Sequence, residues 1–511
     1  LTLFFLGGFM SLAILLSRSL AGFDAPLVRV ETHLGSGLPA FHVVGLADAE
    51  VRESRERVRA AILNSGFSFP NGRLTVNLSP ADLPKESGRF DLPIAVGVLL
   101  VSGQIAVARP ERLSTLVLAG ELSLTGELIP TRGAIALGLS VARSQAGAIL
   151  ILPSSNAIEA SRIPALVALG ANNLTEVVEY LTGQSELHKP TFNSNYSTTK
   201  AYACLSDVRG QLLARRALEV AASGGHSMLM TGTPGVGKSM LAKRLAGLLP
   251  PMSDTQALEL AAISTYAGLD LGMSLERPVR SPHHSASAAA VIGGGARPMP
   301  GEVSLAHHGV LFLDELPEYD RKVREALREP LENGYVCIAR AKGMCQFPAR
   351  FQLVATMNPC PCGWKGHPKR LCRCTDTQVS SYQARVSGPL LDRIDLCITL
   401  CQESADWHES QPAEPSTAVA SRVQTAWDLQ LSRQGTLNAQ LPDGKLESHC
   451  RLTDEAKHLL ATIMGQHGMS ARSVQRTRRV ARTCADMDGC ETVSRTHVSE
   501  AYRYRPTHAV Q

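Results

Sequence analysis

The spacing of apolar positions changes several times along the chain, and the changes divide it. From Met10 to about Thr182, short apolar runs (Leu27 to Glu31, Arg73 to Leu78, Leu116 to Ala119, Ile149 to Leu152) read as strands. Between them, residues 50–65, 92–102 and 134–146 carry helical spacing, so 10–182 is expected to be an α/β domain. Residues 183–200 lose the pattern, are rich in Ser, Thr and Asn with one Pro, and read as a linker. From 201 to 400 the order strand, glycine-rich loop, helix, acidic strand, hairpin, strand predicts a doubly wound parallel sheet. Glu332-Asn333-Gly334-Tyr335 is the expected start of the hairpin arm. Beyond residue 400 the chain turns polar; a helical pattern returns from Thr453 to Tyr504, so 401–511 is expected as a helical lid.

Composition narrows this picture only in part. At 511 residues, 44% hydrophobic and 19% charged, the chain suits about three globular domains. Its 51 basic residues nearly balance 46 acidic ones, so any nucleic-acid surface must be local. One local excess lies in Arg451–Gln511, with ten Lys or Arg against six Asp or Glu. The apolar first sixteen residues lack a basic leader and fall short of a membrane span. Met10 is the expected start, with 1–9 an upstream extension, and the expected location is cytoplasmic.

The richest chemistry begins at Gly232-Thr233-Pro234-Gly235-Val236-Gly237-Lys238-Ser239, with the spacing G-x-x-x-x-G-K-S between an apolar run and a helical pattern. The glycines let successive N–H groups turn toward phosphate oxygens at the positive end of the following helix. Lys238 is expected on the β and γ phosphates of ATP or GTP, and Ser239 on Mg²⁺. The run Gly309-Val310-Leu311-Phe312-Leu313 ends in Asp314 and Glu315: the first carboxylate suits the Mg²⁺ shell, the second a water to be polarised. Between these motifs, Arg277 to Ser285 and Gly293 to Pro298 read as loops, where His283 and His284 are either metal ligands or simple polar residues.

Cys360-x-Cys362 and Cys372-x-Cys374 offer four thiols within fifteen positions. Two alternatives stand: a structural Zn²⁺, or reduced and redox-linked thiols. The loop between the pairs holds Trp364, Lys365, His367, Lys369 and Arg370; it suits either a single-strand nucleic-acid contact or a solvated knuckle touching only protein.

These residues resemble the magnesium-chelatase-like AAA+ ATPases, specifically the YifB/ComM family of competence proteins, over Met10 to about Arg505. The likeness is most specific in Arg277 to Ser287, Pro300 to His307, Asn358 to Gly363 and Ser387 to Asp395. It implies a ring-forming, usually hexameric ATPase using ATP and Mg²⁺, similar to DNA helicases that drive branch migration during natural transformation. It also implies Walker roles for Lys238, Ser239, Asp314 and Glu315, a sensor role for Asn358, an arginine finger at Arg393 and a second sensor at Arg472. A helix-end ion pair with Asp392 or Asp395 is the alternative for Arg393; for Arg472 it is a general charge cluster with Arg476, Arg478, Arg479 and Arg482. The N-terminal domain resembles the proteolytic domain of Lon (a ribosomal S5 domain 2-like fold), notably in Gly120 to Pro130 and Pro84-Lys85-Glu86. Arg89 occupies the serine position and about Ile135 the lysine position, with only Lys85 and Ser87 as substitutes, so peptidase activity is not expected. The rival reading is a chelatase-type ATPase that inserts a metal or remodels a partner protein, and an ATP-dependent protease ranks below it.

Overall fold

A computed structural model describes residues 5–6, 9–10, 12–20, 22–45, 49–81, 83, 88–164, 166–191, 202–269, 274–295, 298–340, 343–402 and 414–505. Most of the expected extension and residues 192–200 of the expected linker, together with Lys85, Ser87 and Arg297, lie outside the described residues.

The N-terminal half is built on a seven-stranded mixed sheet: β1 (Leu12–Arg18), β2 (Leu27–Gly35), β3 (Ala40–Val44), β4 (Arg73–Ser79), β5 (Leu116–Leu118), β6 (Ile149–Pro153) and β7 (Val167–Ala171), in the order β7-β6-β5-β1-β2-β4-β3. The period of two that marks β4 is realised as burial, with Leu74, Val76 and Leu78 inward. Helix α1 (Asp91–Val101) is buried along its whole length under this sheet, which explains its unbroken apolar sequence. Helix α2 (Ala134–Ser144) covers the opposite face.

The second half carries a five-stranded, all-parallel sheet. Its strands are β8 (Met228–Gly232), β9 (Val279–Arg280), β10 (Val310–Leu313), β13 (Gln352–Met357) and β14 (Leu396–Leu400), in the order β9-β10-β13-β8-β14. Between β10 and β13 projects an antiparallel hairpin of β11 (Tyr335–Arg340) and β12 (Gly343–Pro348). Asn333-Gly334 is the turn from the preceding helix into the hairpin arm, as the sequence suggests. Gly334, at φ 75°, ends the preceding helix Arg328–Asn333, and the hairpin reverses after Arg340.

Helix α3 (Leu212–Gly224) precedes β8, α4 (Lys238–Arg244) follows the phosphate loop, and α5 (Asp254–Tyr266) follows that. The C-terminal region is helical, and its helices start earlier than the polar sequence suggests. A 19-residue helix, α6 (Ser416–Gln434), lays Val419, Val423, Ala426 and Trp427 against α3, and Trp427 Nε1 donates to the Ala222 carbonyl at 2.8 Å. The long arginine-rich helix α7 (Ala471–Met487) packs on both. The two halves share a buried cluster, in which Leu258, Ala261 and Ala262 of α5 join α2 and β6. Arg143 of α2 also reaches Glu259 of α5 at 3.1 Å.

Candidate active site

The phosphate loop leaves β8 at the point where the strand order reverses, the place where parallel sheets open a crevice at their carboxyl ends. Gly235 (φ 80°) and Gly237 (φ 97°) take left-handed conformations that side chains disfavour, and a Cβ at either would meet nothing within 4 Å. That open cradle fits a phosphate group. Lys238 Nζ donates to the Gly232 carbonyl (2.5 Å), the Thr233 carbonyl (3.1 Å) and Asn358 Oδ1 (3.0 Å). Burial lowers its pKa, and the charges of Asp314 and Glu315 oppose the shift.

Ser239 Oγ donates to both oxygens of Asp314, at 3.0 and 3.2 Å, the hydroxyl and carboxylate pairing that suits a shared divalent ion. Thr356 of β13 donates to Asp314 Oδ1 at 2.5 Å and accepts the backbone N–H of Glu315 at 3.0 Å. Thr356 thus aims the Asp314 carboxylate and pins the backbone of Glu315, a role that sequence reading missed. Glu315 is exposed and sits at φ 54°, a strained position for a residue with a side chain, directly after β10.

Arg393 and Arg472 meet elsewhere. Arg393 donates to the Pro389 carbonyl at 2.8 Å and pairs with Glu332; Arg472 Nη2 reaches the other oxygen of Glu332 at 2.5 Å. Arg393 is therefore ion-paired, but with neither Asp392 nor Asp395 as the alternative supposed. Asp395 instead holds Arg476 (2.7 Å) and His226 (3.3 Å). Burial opposes its charge, yet Arg476 and His226 keep its pKa below the usual range.

The four cysteine sulfurs converge. Cys360, Cys362 and Cys372 Sγ lie 3.4 to 3.6 Å apart, and Cys374 joins them within 4.8 Å. Sulfurs about 2.3 Å from a zinc ion would stand about 3.8 Å apart, so the donor set fits that ion. All twelve cysteines lack disulfides. The knuckle grows directly from Asn358 through Pro359, and a Cβ at Gly363 would stand 2.7 Å from Pro234 Cγ, so the knuckle rests on the phosphate loop.

His283 and His284 occupy a turn with rings 4.1 Å apart and tilted, rather than pointing apart as regular spacing implied. A second titratable cluster, Glu259 with His307 and His308, went unnoticed in the sequence. His307 Nδ1 accepts the Arg350 N–H at 3.0 Å, which leaves Nε2 protonated and facing Glu259, 3.6 Å away. His308 Nε2 lies 2.9 Å from the same oxygen, so both histidines hydrogen-bond one acid. Contacts from His307 and then His308 hold Glu259 below the usual carboxylate range, while burial pushes His307 down to about 4. In the N-terminal half, Arg89 is 1% exposed, in the 3-10 turn before α1, and Ile135 is buried in α2.

A complete phosphate loop on an all-parallel sheet, with paired acids two strands away across β13 and a helical C-terminal region, defines an AAA+ ATPase. The chain belongs to the magnesium-chelatase-like YifB/ComM family: residues 204–407 match magnesium chelatase subunit ChlI, 30–156 match subunit ChlI of Mg-chelatase, and 413–505 match the ChlI C-terminal family. It is 44% identical over 501 residues to YifB of Salmonella typhimurium (97% of each chain). It is 43% identical over 505 residues to competence protein ComM of Haemophilus influenzae (97% of this chain, 98% of the relative). A partial match, 25% over 214 residues, joins 40% of this chain to 25% of DNA replication licensing factor Mcm6 of Anopheles gambiae. No helix among the described residues is long and apolar enough to cross a membrane.

Proposed function

We propose that this chain is an ATP-driven, ring-forming motor acting on DNA, a hexameric helicase that promotes branch migration during transformation or recombination. The observation that carries this reading is the division of the site. Lys238, Ser239, Asp314 and Asn358 bind one another, whereas Arg393 and Arg472 share Glu332 and no partner with them. In a chain divided in this way the arginine finger, Arg393, serves a neighbour's nucleotide, and Arg472 acts as the second sensor of the helical lid. In the ring, Lys238 and the loop amides bind the phosphates, Ser239 and Asp314 hold Mg²⁺, Asn358 orients the water, Glu315 accepts its proton and Arg393 neutralises developing charge. Bound Mg²⁺ supplies charge neutralisation on the phosphates. Support for DNA comes from the full-length likeness to a protein named for competence and the partial one to a replication licensing factor.

In this reading Cys360, Cys362, Cys372 and Cys374 hold a structural Zn²⁺ in a cytoplasmic enzyme. The N-terminal domain is a Lon-like fold without the serine and lysine dyad, serving as an adaptor or collar. The chelatase-type reading draws on the three ChlI family matches. ATP turnover with and without single-stranded and branched DNA, alongside branch migration, separates them. An active hexamer that neither responds to DNA nor moves a branch removes the motor reading; ATP-dependent metal insertion into a porphyrin would establish the rival. Glu315→Gln is expected to bind ATP but slow hydrolysis on the order of 10²- to 10⁴-fold, and Lys238→Ala to lose nucleotide binding.

A further inference from the structure

The cysteine knuckle has one face on the nucleotide site and another turned outward. Inward, Cys360 follows Asn358 by two residues, Asn358 accepts from Lys238 at 3.0 Å, and Gly363 abuts Pro234. Gln383 fastens the root by donating to the Pro359 carbonyl at 3.0 Å. Outward, Lys365, Lys369, Arg370 and Arg373 fall within nine residues that contain no Asp or Glu, and none has a carboxylate partner among the described residues. The Arg370 guanidinium lies 4.3 Å from the centre of the Trp364 ring, and the His367 ring meets the same indole edge-on at 5.1 Å. His367 Nδ1 accepts the N–H groups of Lys369 and Arg370 (3.0 and 2.9 Å), which sets the turn before Leu371, 92% exposed.

Three further cations around a stacked guanidinium and indole match a polyanion that also offers flat π faces, and single-stranded nucleic acid combines the two. An acidic protein would supply the charge without the bases. We propose that the knuckle is the strand contact of this ATPase: it neutralises successive phosphodiesters, stacks a base on the Trp364–Arg370 pair, and relays occupancy to the nucleotide through Asn358 and Pro234. This inference rests on the DNA-motor reading and adds to it the element that touches the strand.

The test uses the full chain and a thymidine oligonucleotide, with affinity measured across a salt series. Zinc content and oligomeric state are followed as folding controls. In Lys365→Ala/Lys369→Ala/Arg373→Ala, three lost charges are expected to flatten the slope of log affinity against log salt by about 2, weaken binding at least about tenfold, and abolish stimulation of ATP turnover by the oligonucleotide. Trp364→Ala is expected to lower affinity about tenfold or more while leaving the slope unchanged. Wild-type slope, affinity and stimulation in the triple variant would overturn the strand contact and leave the motor reading standing. Failure of wild-type protein to bind or respond to any DNA would remove the motor reading itself. Equal affinity of the wild type for polyglutamate would overturn the stacking contact in favour of an acidic protein.

Discussion

Two basic regions of this molecule look alike as composition and differ completely in use. Helix α7 carries Arg472, Arg476, Arg478, Arg479 and Arg482, and the structure gives each a carboxylate: Glu332, Asp395, Glu447, Asp443 and Asp486 in turn. The knuckle carries four cations and no acid. In α7 the arginines fasten the C-terminal helices to the sheet domain and to one another, which removes them from the pool available to DNA. The five arginines of α7, half of the ten basic residues between Arg451 and Gln511, therefore describe an internal framework, whereas the run in the knuckle is left open. Charge counts do not separate these cases; pairing does.

The contrast is sharpest at Arg482, 1% exposed and bound to Asp486 on the same helix and to the carbonyls of Cys490 and Glu491. Arg482→Ala strands the carbonyls of Cys490 and Glu491 while Asp486 keeps Arg433 at 2.5 Å, so a loss of about 1–3 kcal/mol is expected in chemical denaturation. An unchanged midpoint would break the claim that α7 is structural. Next in size, Cys372→Ser is expected to remove zinc and loosen the knuckle, read as metal content by mass spectrometry and as weaker ATP binding. A zinc-free wild type would remove the ion from the site. Arg478→Ala breaks a pair whose Glu447 partner is largely solvent-exposed, so about 0.2–1 kcal/mol is expected.

Acid should lower the stability of the fold. His307, driven down by burial, stays neutral in the fold while its unfolded form gains a proton below about 6.5. Stability therefore falls as pH drops from about 6.5 toward 4. Glu259, held low, adds a second loss once pH passes below about 4.5. The melting temperature is expected to decline across that window and to decline less in His307→Gln.

What the sequence made legible follows the same division between local and distant. The phosphate loop was readable because its turn requires glycine where the backbone takes positive φ, and Asp314 because an apolar strand delivers it. Partnerships were not readable: Glu332 and Arg472 stand 140 positions apart, and Asp395 and Arg476 stand 81 apart. Helix α6 escaped notice because its buried stripe is narrow in a polar segment, although Val419, Val423, Ala426 and Trp427 keep helical spacing. Strand β3 escaped because its residues are only half-buried or exposed at the sheet edge. The acid cluster around Glu259 draws its members from separate segments, so spacing carried no trace of it.

The shared packing of α2 and α5 has a mechanical consequence. Since Leu258, Ala261 and Ala262 are embedded in the N-terminal domain's own apolar layer, any swing of that domain on the ATPase would tear open a core. The N-terminal half therefore rides with the parallel sheet as one rigid passenger.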